Sequence, residues 1–189
     1  TPLLENIPIY DSLEQAIAEA TLVIGTTART GGWRQGILSP ERGAELALDT
    51  LCSGGRVSLV FGPEDRGLSN VDIGVCSQLV HIPSCQEASS LNLAQAALLM
   101  LYECRKAALN RASKGRVLTK QTVITHKERE LLYTALQEAL TTIDTLHGNN
   151  PDYFMLPVRR FFNRTELSRG EFDLFMGICR QICWAVRKK

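Results

Sequence analysis

Residues 57–70 read VSLVFGPEDRGLSN, a short apolar run that stops abruptly at glycine, proline and charge. An apolar run of that length, bounded by turn residues, is the pattern of a strand buried on both faces, as in a parallel sheet. The same unit recurs on either side. Upstream, residues 21–25 read TLVIG and lead into the polar loop TTARTGGWRQG; downstream, residues 78–82 read QLVHI and lead into PSCQEASS. Helical signals alternate with these runs. Asp11 and Ser12 precede DSLEQAIAEA, with Leu13, Ala16, Ile17 and Ala20 on one face and a possible Ser12–Gln15 capping box. Ser39-Pro40, a cap followed by a first-turn proline, opens a helix through Glu45 and Leu48 that stops at Gly54-Gly55. Residues 71–76, VDIGVC, read as a short helix. Residues 91–109 form a helix that is apolar nearly all the way round from Leu91 to Leu101, which predicts burial on most sides. Alternation of strand and helix over the first 110 residues predicts an α/β fold with a parallel sheet.

Further along the pattern is wholly helical. Residues 127–146 carry Leu131, Leu132, Ala135, Leu136, Ala139, Leu140 and Ile143 at helical spacing, and residues 147–151 (HGNNP) end the run. Two more helices, 152–163 and 168–189, offer Phe161, Phe162, Phe172, Phe175, Ile178, Ile182 and Trp184 as expected core. The organisation expected is an α/β domain over 1–110, a basic linker over 111–126 and a small all-helical C-terminal extension over 127–189. A helical unit of that size is marginal alone and is expected to dock on the first domain or on a second subunit.

With 44% hydrophobic and 22% charged residues, the chain can build a real core. No run approaches the roughly 18 consecutive apolar residues of a membrane span, and the first ten residues, TPLLENIPIY, lack the basic start and apolar stretch of a signal peptide. Six cysteines are scattered without a CxxC, which disfavours zinc; Cys179 and Cys183 are expected as buried free thiols, as suits a reducing, cytoplasmic setting. The net charge is only +1, yet Arg105, Lys106, Arg111, Lys114, Arg116, Lys120 and Lys127 form a stretch with no acidic residue. Such a stripe suits a phosphate backbone, or else a solvated linker.

In parallel α/β sheets ligands bind outside the carboxyl ends of the strands. Three loops occupy those ends: residues 26–29 (TTAR), 62–67 (GPEDRG) and 82–92. None contains a P-loop or a GxGxxG sequence, so phosphate cradling and ordinary dinucleotide binding are disfavoured. Singly, each has a plain structural reading: Glu64, Asp65 and Arg66 as a solvated turn with a weak ion pair, Asn92, Ser89 or Ser90 as a helix cap.

Taken together and in order, FGPEDRGLSN, IPS and SSLNLAQAALLMLYE resemble the second and third motifs of the SpoU/TrmH group of SPOUT methyltransferases. VIGTTAR and the tail FNRTELSRGEFDLFMGICRQICW resemble the TrmJ-like branch of that group, so the resemblance covers essentially the whole chain. It implies a deep trefoil knot, an exception to the rule against threaded chains. It implies S-adenosyl-L-methionine as cofactor, set against Thr26, Thr27, Ala28, Gly62, Ile82, Ser90, Leu91 and Asn92. The reaction implied is attack of an RNA ribose 2′-hydroxyl on a sulfonium methyl group, which requires no metal. Glu64 and Asn92 are then the expected catalytic, positioning residues, with Arg29 and Arg66 as holders of RNA phosphate. The substrate implied is a cytidine or uridine at the start of the tRNA anticodon loop, and the assembly a homodimer. The family's first motif, with its asparagine and arginine, has no counterpart here. The chain opens at Thr1 on a helix-like segment, and the parent protein is expected to carry that motif upstream; the alternative is a catalytically incomplete form. Competing readings are a ribosomal RNA methyltransferase of the same fold, a non-catalytic RNA-binding relative, and a nucleotide-binding enzyme of ordinary topology. If Lys114, Arg116 and Lys120 contact phosphate, neutralising all three weakens RNA binding and lowers its salt slope by about three. An unchanged slope in a salt titration returns the stretch to a linker.

Overall fold

The apolar runs pair as one parallel sheet in this computed structural model, which describes residues 6–29, 36–84, 91–114, 123–146, 151–163, 165 and 167–188. The elements in order are α1 (Leu13–Ile17), β1 (Leu22–Thr26), α2 (Pro40–Cys52), β2 (Val57–Val60), α3 (Asn70–Val75), β3 (Gln78–Val80), α4 (Leu93–Lys114), α5 (His126–Thr142), α6 (Pro151–Asn163) and α7 (Arg169–Arg187). The strand order is β2-β1-β3. Leu22 to Gly25 pair with Val57 to Val60, and Ile24 to Thr26 pair with Gln78 to Val80. Leu38 extends the β3 edge by a single parallel bridge to Val80.

Strand periodicity sorts β1 between two cores. Leu22 and Ile24 face Ala47 of α2 and Met100 of α4, with Val80 beside them. Val23 faces the other way, against Ile17, Ala20 and Cys76 beside α1 and α3. The α/β part is therefore a sheet between two helical layers, the arrangement that covers both faces of parallel strands. Burial, reinforced by the charge of Asp72, pushes the Cys76 thiol up to about 12, so it stays protonated and inert.

Several expectations about burial are corrected. On α4, Met100 is fully buried, but Leu98, Leu101 and Tyr102 are 60% exposed or more. The helix packs against α2 with one face only, so its all-round apolar character exceeds what this chain covers. On the C-terminal helices, Phe162 and Phe172 join Ile124, Leu132, Tyr133, Met155 and Leu167 in a third core, with Phe175 packed against it. Phe161, Ile178 and Trp184, expected in that core, are exposed, because each helix gives a single stripe to its neighbours. Ala16 of α1 is likewise exposed. Cys179 is buried, as expected, while Cys183 is half-buried. Helix α4 runs through Lys114, into the stretch read as a linker. Within that basic stretch, Lys106 is held by Glu103 and Arg111 by Asp49, which removes two of its cations from any free stripe.

The helical part docks at the amino ends of the strands. Thr125 caps α5 in a reciprocal box with Glu128, and the next two amides reach backward: His126 N–H donates to the Ala20 carbonyl at 2.7 Å and Lys127 N–H to that of Ala18 at 3.0 Å. One turn on, buried Arg129 donates to Ser77 Oγ at 3.1 Å. Asn163 at the end of α6 donates to the Gly74 carbonyl and accepts from the Tyr133 hydroxyl. His126 is 3% exposed, and Nε2 has no hydrogen-bond partner among the described residues.

Burial is the main cause that lowers the His126 pKa from its ordinary 6.5. At lower pH the unfolded chain takes up a proton that the folded imidazole resists, so stability present above pH 6.5 is lost as pH falls. The loss is at most about 1.4 kcal/mol per pH unit for one proton. Thermal melts between pH 7.5 and 5.5 should show this slope, and His126→Phe should flatten it. Glu128 and Glu171, both held below the usual carboxylate value by their capping hydrogen bonds, titrate beneath that window.

Candidate active site

The carboxyl ends of β1, β2 and β3 converge on one cleft with room for about 300 Å³, at the lower end of small-molecule sites. Its walls come from all three strand-end loops: Thr26 to Arg29, Phe61 to Leu68, and Ile82 with Leu91, Leu93 and Ala96. Phe61 and Ile82, read from the sequence as the last strand residues, lie just beyond β2 and β3 and become apolar walls instead.

Hydrogen bonds fix the first loop against β3. Thr27 N–H donates to the Val80 carbonyl at 2.9 Å, and His81 Nδ1 donates to the Thr27 carbonyl at 3.0 Å. Thr27 Oγ1 accepts from Arg29 N–H, closing a tight turn that turns Arg29 outward at the rim. Thr26 Oγ1 donates to the Val60 carbonyl, tying the same loop to β2. His81 escaped notice in the sequence, where it read as one more residue of an apolar run.

The second loop folds over itself. Gly67 N–H donates to the Pro63 carbonyl at 2.8 Å, and Gly67 holds φ at +66°, a conformation glycine adopts freely. A Cβ on Gly62 would lie 2.2 Å from the Gly67 carbonyl carbon, so only glycine fits beneath that turn. Glu64, Asp65 and Arg66 form its exposed crest. Arg66 and Asp65 stand 3.9 Å apart in water, which contributes little to stability.

Asn92 is placed differently from the other candidates. It is exposed, and its Oδ1 accepts from Ala94 N–H at 2.9 Å while its carbonyl accepts from Ala96 N–H. It thus caps α4, the alternative reading of this residue, and its two neighbours Leu91 and Leu93 face the cleft. Of the sequence candidates, the structure gathers Thr26, Thr27, Ala28, Arg29, Gly62, Glu64, Arg66, Ile82 and Leu91 around the cleft. Ser90, Arg116 and Lys120 lie outside the described residues, as does any description of the Lys114 side chain. Among the described residues no cluster of three His, Cys, Asp or Glu could hold a metal, and no helix is long and apolar enough to cross a membrane.

An α/β sheet with a cleft at the carboxyl ends of its strands has the architecture in which ligands are taken at that end. Residues 3–102 match the model of the SpoU rRNA Methylase family, and residues 127–189 match that of the tRNA methyltransferase TrmJ C-terminal domain. The tRNA (cytidine/uridine/adenosine-2'-O-)-methyltransferase TrmJ of Pseudomonas aeruginosa is 34% identical over 186 residues, covering 94% of this chain and 72% of that protein. The tRNA (cytidine/uridine-2'-O-)-methyltransferase TrmJ of Escherichia coli O6:K15:H31 is 32% identical over 186 residues, covering 95% and 74%. A crystal structure of TrmJ from Z. mobilis ZM4 superposes with a TM-score of 0.78 at 23% identity, covering 95% of this chain and 75% of that one, and shares its fold. The chain belongs to the SpoU rRNA methylase family, in its TrmJ group.

The Asn92 cap separates two roles by substitution. Asn92→Ala removes the cap, at a cost of about 1 kcal/mol, and loosens the cleft wall. If Asn92 shapes the cleft through the cap, any affinity for S-adenosylhomocysteine that Asn92→Ala loses should be kept by Asn92→Asp, since aspartate caps equally well. Calorimetry with S-adenosylhomocysteine checks this: an aspartate variant as weak as the alanine variant means a direct contact through the amide instead.

Proposed function

We propose that this chain is an S-adenosylmethionine-dependent RNA 2′-O-methyltransferase that modifies a cytidine or uridine at the start of the tRNA anticodon loop. The observation that carries the reading is the convergence of the three family-motif loops on one cleft. The tRNA, rather than ribosomal, assignment is supported by the match of residues 127–189 to the TrmJ C-terminal domain and by the names of the relatives.

The cleft residues fit such a cofactor. Ile82, Leu91, Leu93 and Phe61 offer apolar walls for an adenine, and Thr26, Thr27 and Ala28 offer a polar edge on a loop already held rigid by β3. When bound, the sulfonium supplies an electrophilic methyl group and a neutral leaving group. What remains for the protein is alignment and removal of a proton from the ribose hydroxyl. Glu64, at the exposed crest of the second loop, is a positioning residue for that alignment, and Arg29 and Arg66 line the same cleft to engage phosphate. Asn92 is a positioning residue that fixes Leu91 and Leu93. We assign the trefoil knot to the connections around the cleft, the methylase part to the chain through the end of α4 and the helical part to the chain from α5 onward, and a cytoplasmic location to the protein as a tRNA modifier. The exposed leucines of α4 support a homodimer, since a second copy would cover an apolar face left open here.

Saturable binding of S-adenosylhomocysteine, with methyl transfer from S-adenosylmethionine to a tRNA ribose 2′-oxygen, is the expected outcome. Absence of cofactor binding by the folded chain would overturn the reading. Glu64→Gln should lower kcat at least tenfold with cofactor affinity unchanged; a loss confined to KM would make Glu64 a binding residue.

A further inference from the structure

Helix α7 carries a second surface with unexplained chemistry. Arg180, Trp184, Arg187 and Lys188 recur at spacings of four, seven and eight, which places them on one stripe. All four are exposed, and Trp184 is 57% exposed although its neighbours Cys179 and Cys183 face α5. Lys188 Nζ sits 4.6 Å from the centre of the Trp184 ring. Beside the ring runs a groove of about 270 Å³ between α5 and α7, lined by Ala135, Cys179 and Cys183, with Glu138 the one acidic lining residue. Arg187 approaches Glu138 at 3.3 Å with both side chains well exposed, a weak hold that a phosphate readily replaces.

A large aromatic ring in water, ringed by three cations and one anion, is chemically complementary to an unpaired nucleotide. The ring face stacks a base of any identity, and the cations neutralise its phosphates. An apolar protein partner would instead have to desolvate three positive charges around the anchor, which interface centres avoid.

We propose that Arg180, Trp184, Arg187 and Lys188 form a subsite for single-stranded RNA, in which Trp184 stacks an unpaired base and the cations hold the adjoining phosphates. The proposal rests on the RNA reading above and extends it to a surface remote from the cleft. Helix α5 begins at the amino ends of the strands, and Glu138 lies twelve residues along it, roughly 18 Å further out at 1.5 Å per residue. The stripe therefore engages a part of the RNA distant from the nucleotide in this chain's own cleft.

The chain has two tryptophans, so a Trp33→Phe background isolates Trp184 emission. Titration of the full chain with unmodified tRNA should quench that emission saturably. Trp184→Ala should weaken tRNA binding about tenfold, Trp184→Phe should retain most of it, and replacing Arg180, Arg187 and Lys188 by glutamine should lower the salt slope. Affinity for S-adenosylhomocysteine should be unchanged throughout, which also reports that each variant is folded. Unquenched emission, with Trp184→Ala binding tRNA as tightly as the unaltered chain, overturns the subsite and leaves the RNA reading intact. An unaltered chain that binds S-adenosylhomocysteine but no tRNA overturns the RNA reading, and this subsite with it.

Discussion

Everything in the α/β part depends on β1 being hydrogen-bonded along both edges by strands that run the same way. A central strand with no free edge forces its two neighbours into register with it, and parallel direction brings all three carboxyl ends to one side. The cleft is the consequence: three loops leave the sheet at the same level and must share the space above it. Because Leu22 and Ile24 face one helical layer and Val23 the other, a slip of one residue would reverse both cores at once. The loops are thereby held at a fixed height relative to one another, which is what a site assembled from three separate segments needs.

The opposite end of the same strands serves a different purpose. There the helical part is attached through the Ala18 and Ala20 carbonyls, through Ser77, and through the Gly74 carbonyl. Buried Arg129 and His126 sit in this seam, so charge is engaged by a hydroxyl and burial favours the neutral imidazole. The sheet thus separates two tasks along its length, with ligand chemistry at one end and anchorage of the helices at the other. Surfaces on the helices that face away from the seam stay available for other partners.

Much of this was legible in residues 21–25, 57–61 and 78–82, because a parallel strand buried on both faces writes itself as an uninterrupted apolar run. Ser39-Pro40 marked the start of α2 for the same direct reason: one residue satisfies the first amides and the other needs none. The loops of the cleft followed from the strand ends. What the sequence hid was burial that depends on neighbours. Leu98 and Trp184 look like core because hydrophobicity carries no address, yet the single covered stripe of each helix leaves them outside. Arg129 and His126 drew no notice in the sequence, since nothing local distinguishes a polar side chain at a docking seam from one in water. His81 became visible only once its ring was seen to hold the Thr27 carbonyl. The capping boxes Ser69–Asp72, Thr125–Glu128 and Ser168–Glu171 were passed over in the sequence, although their members stand three residues apart, and the structure shows them starting three helices.

The contacts from α5 to the connection between α1 and β1 are made to carbonyl oxygens, a group that every residue carries. Side chains at positions 18 and 20 can therefore change over evolutionary time without altering where the helices sit, provided the replacement at 20 stays small enough for its buried place. A deletion or insertion between α1 and β1 is another matter, because it would rotate those acceptors away from the amides of residues 126 and 127. The seam constrains the spacing of the chain and leaves the identity of its side chains largely free.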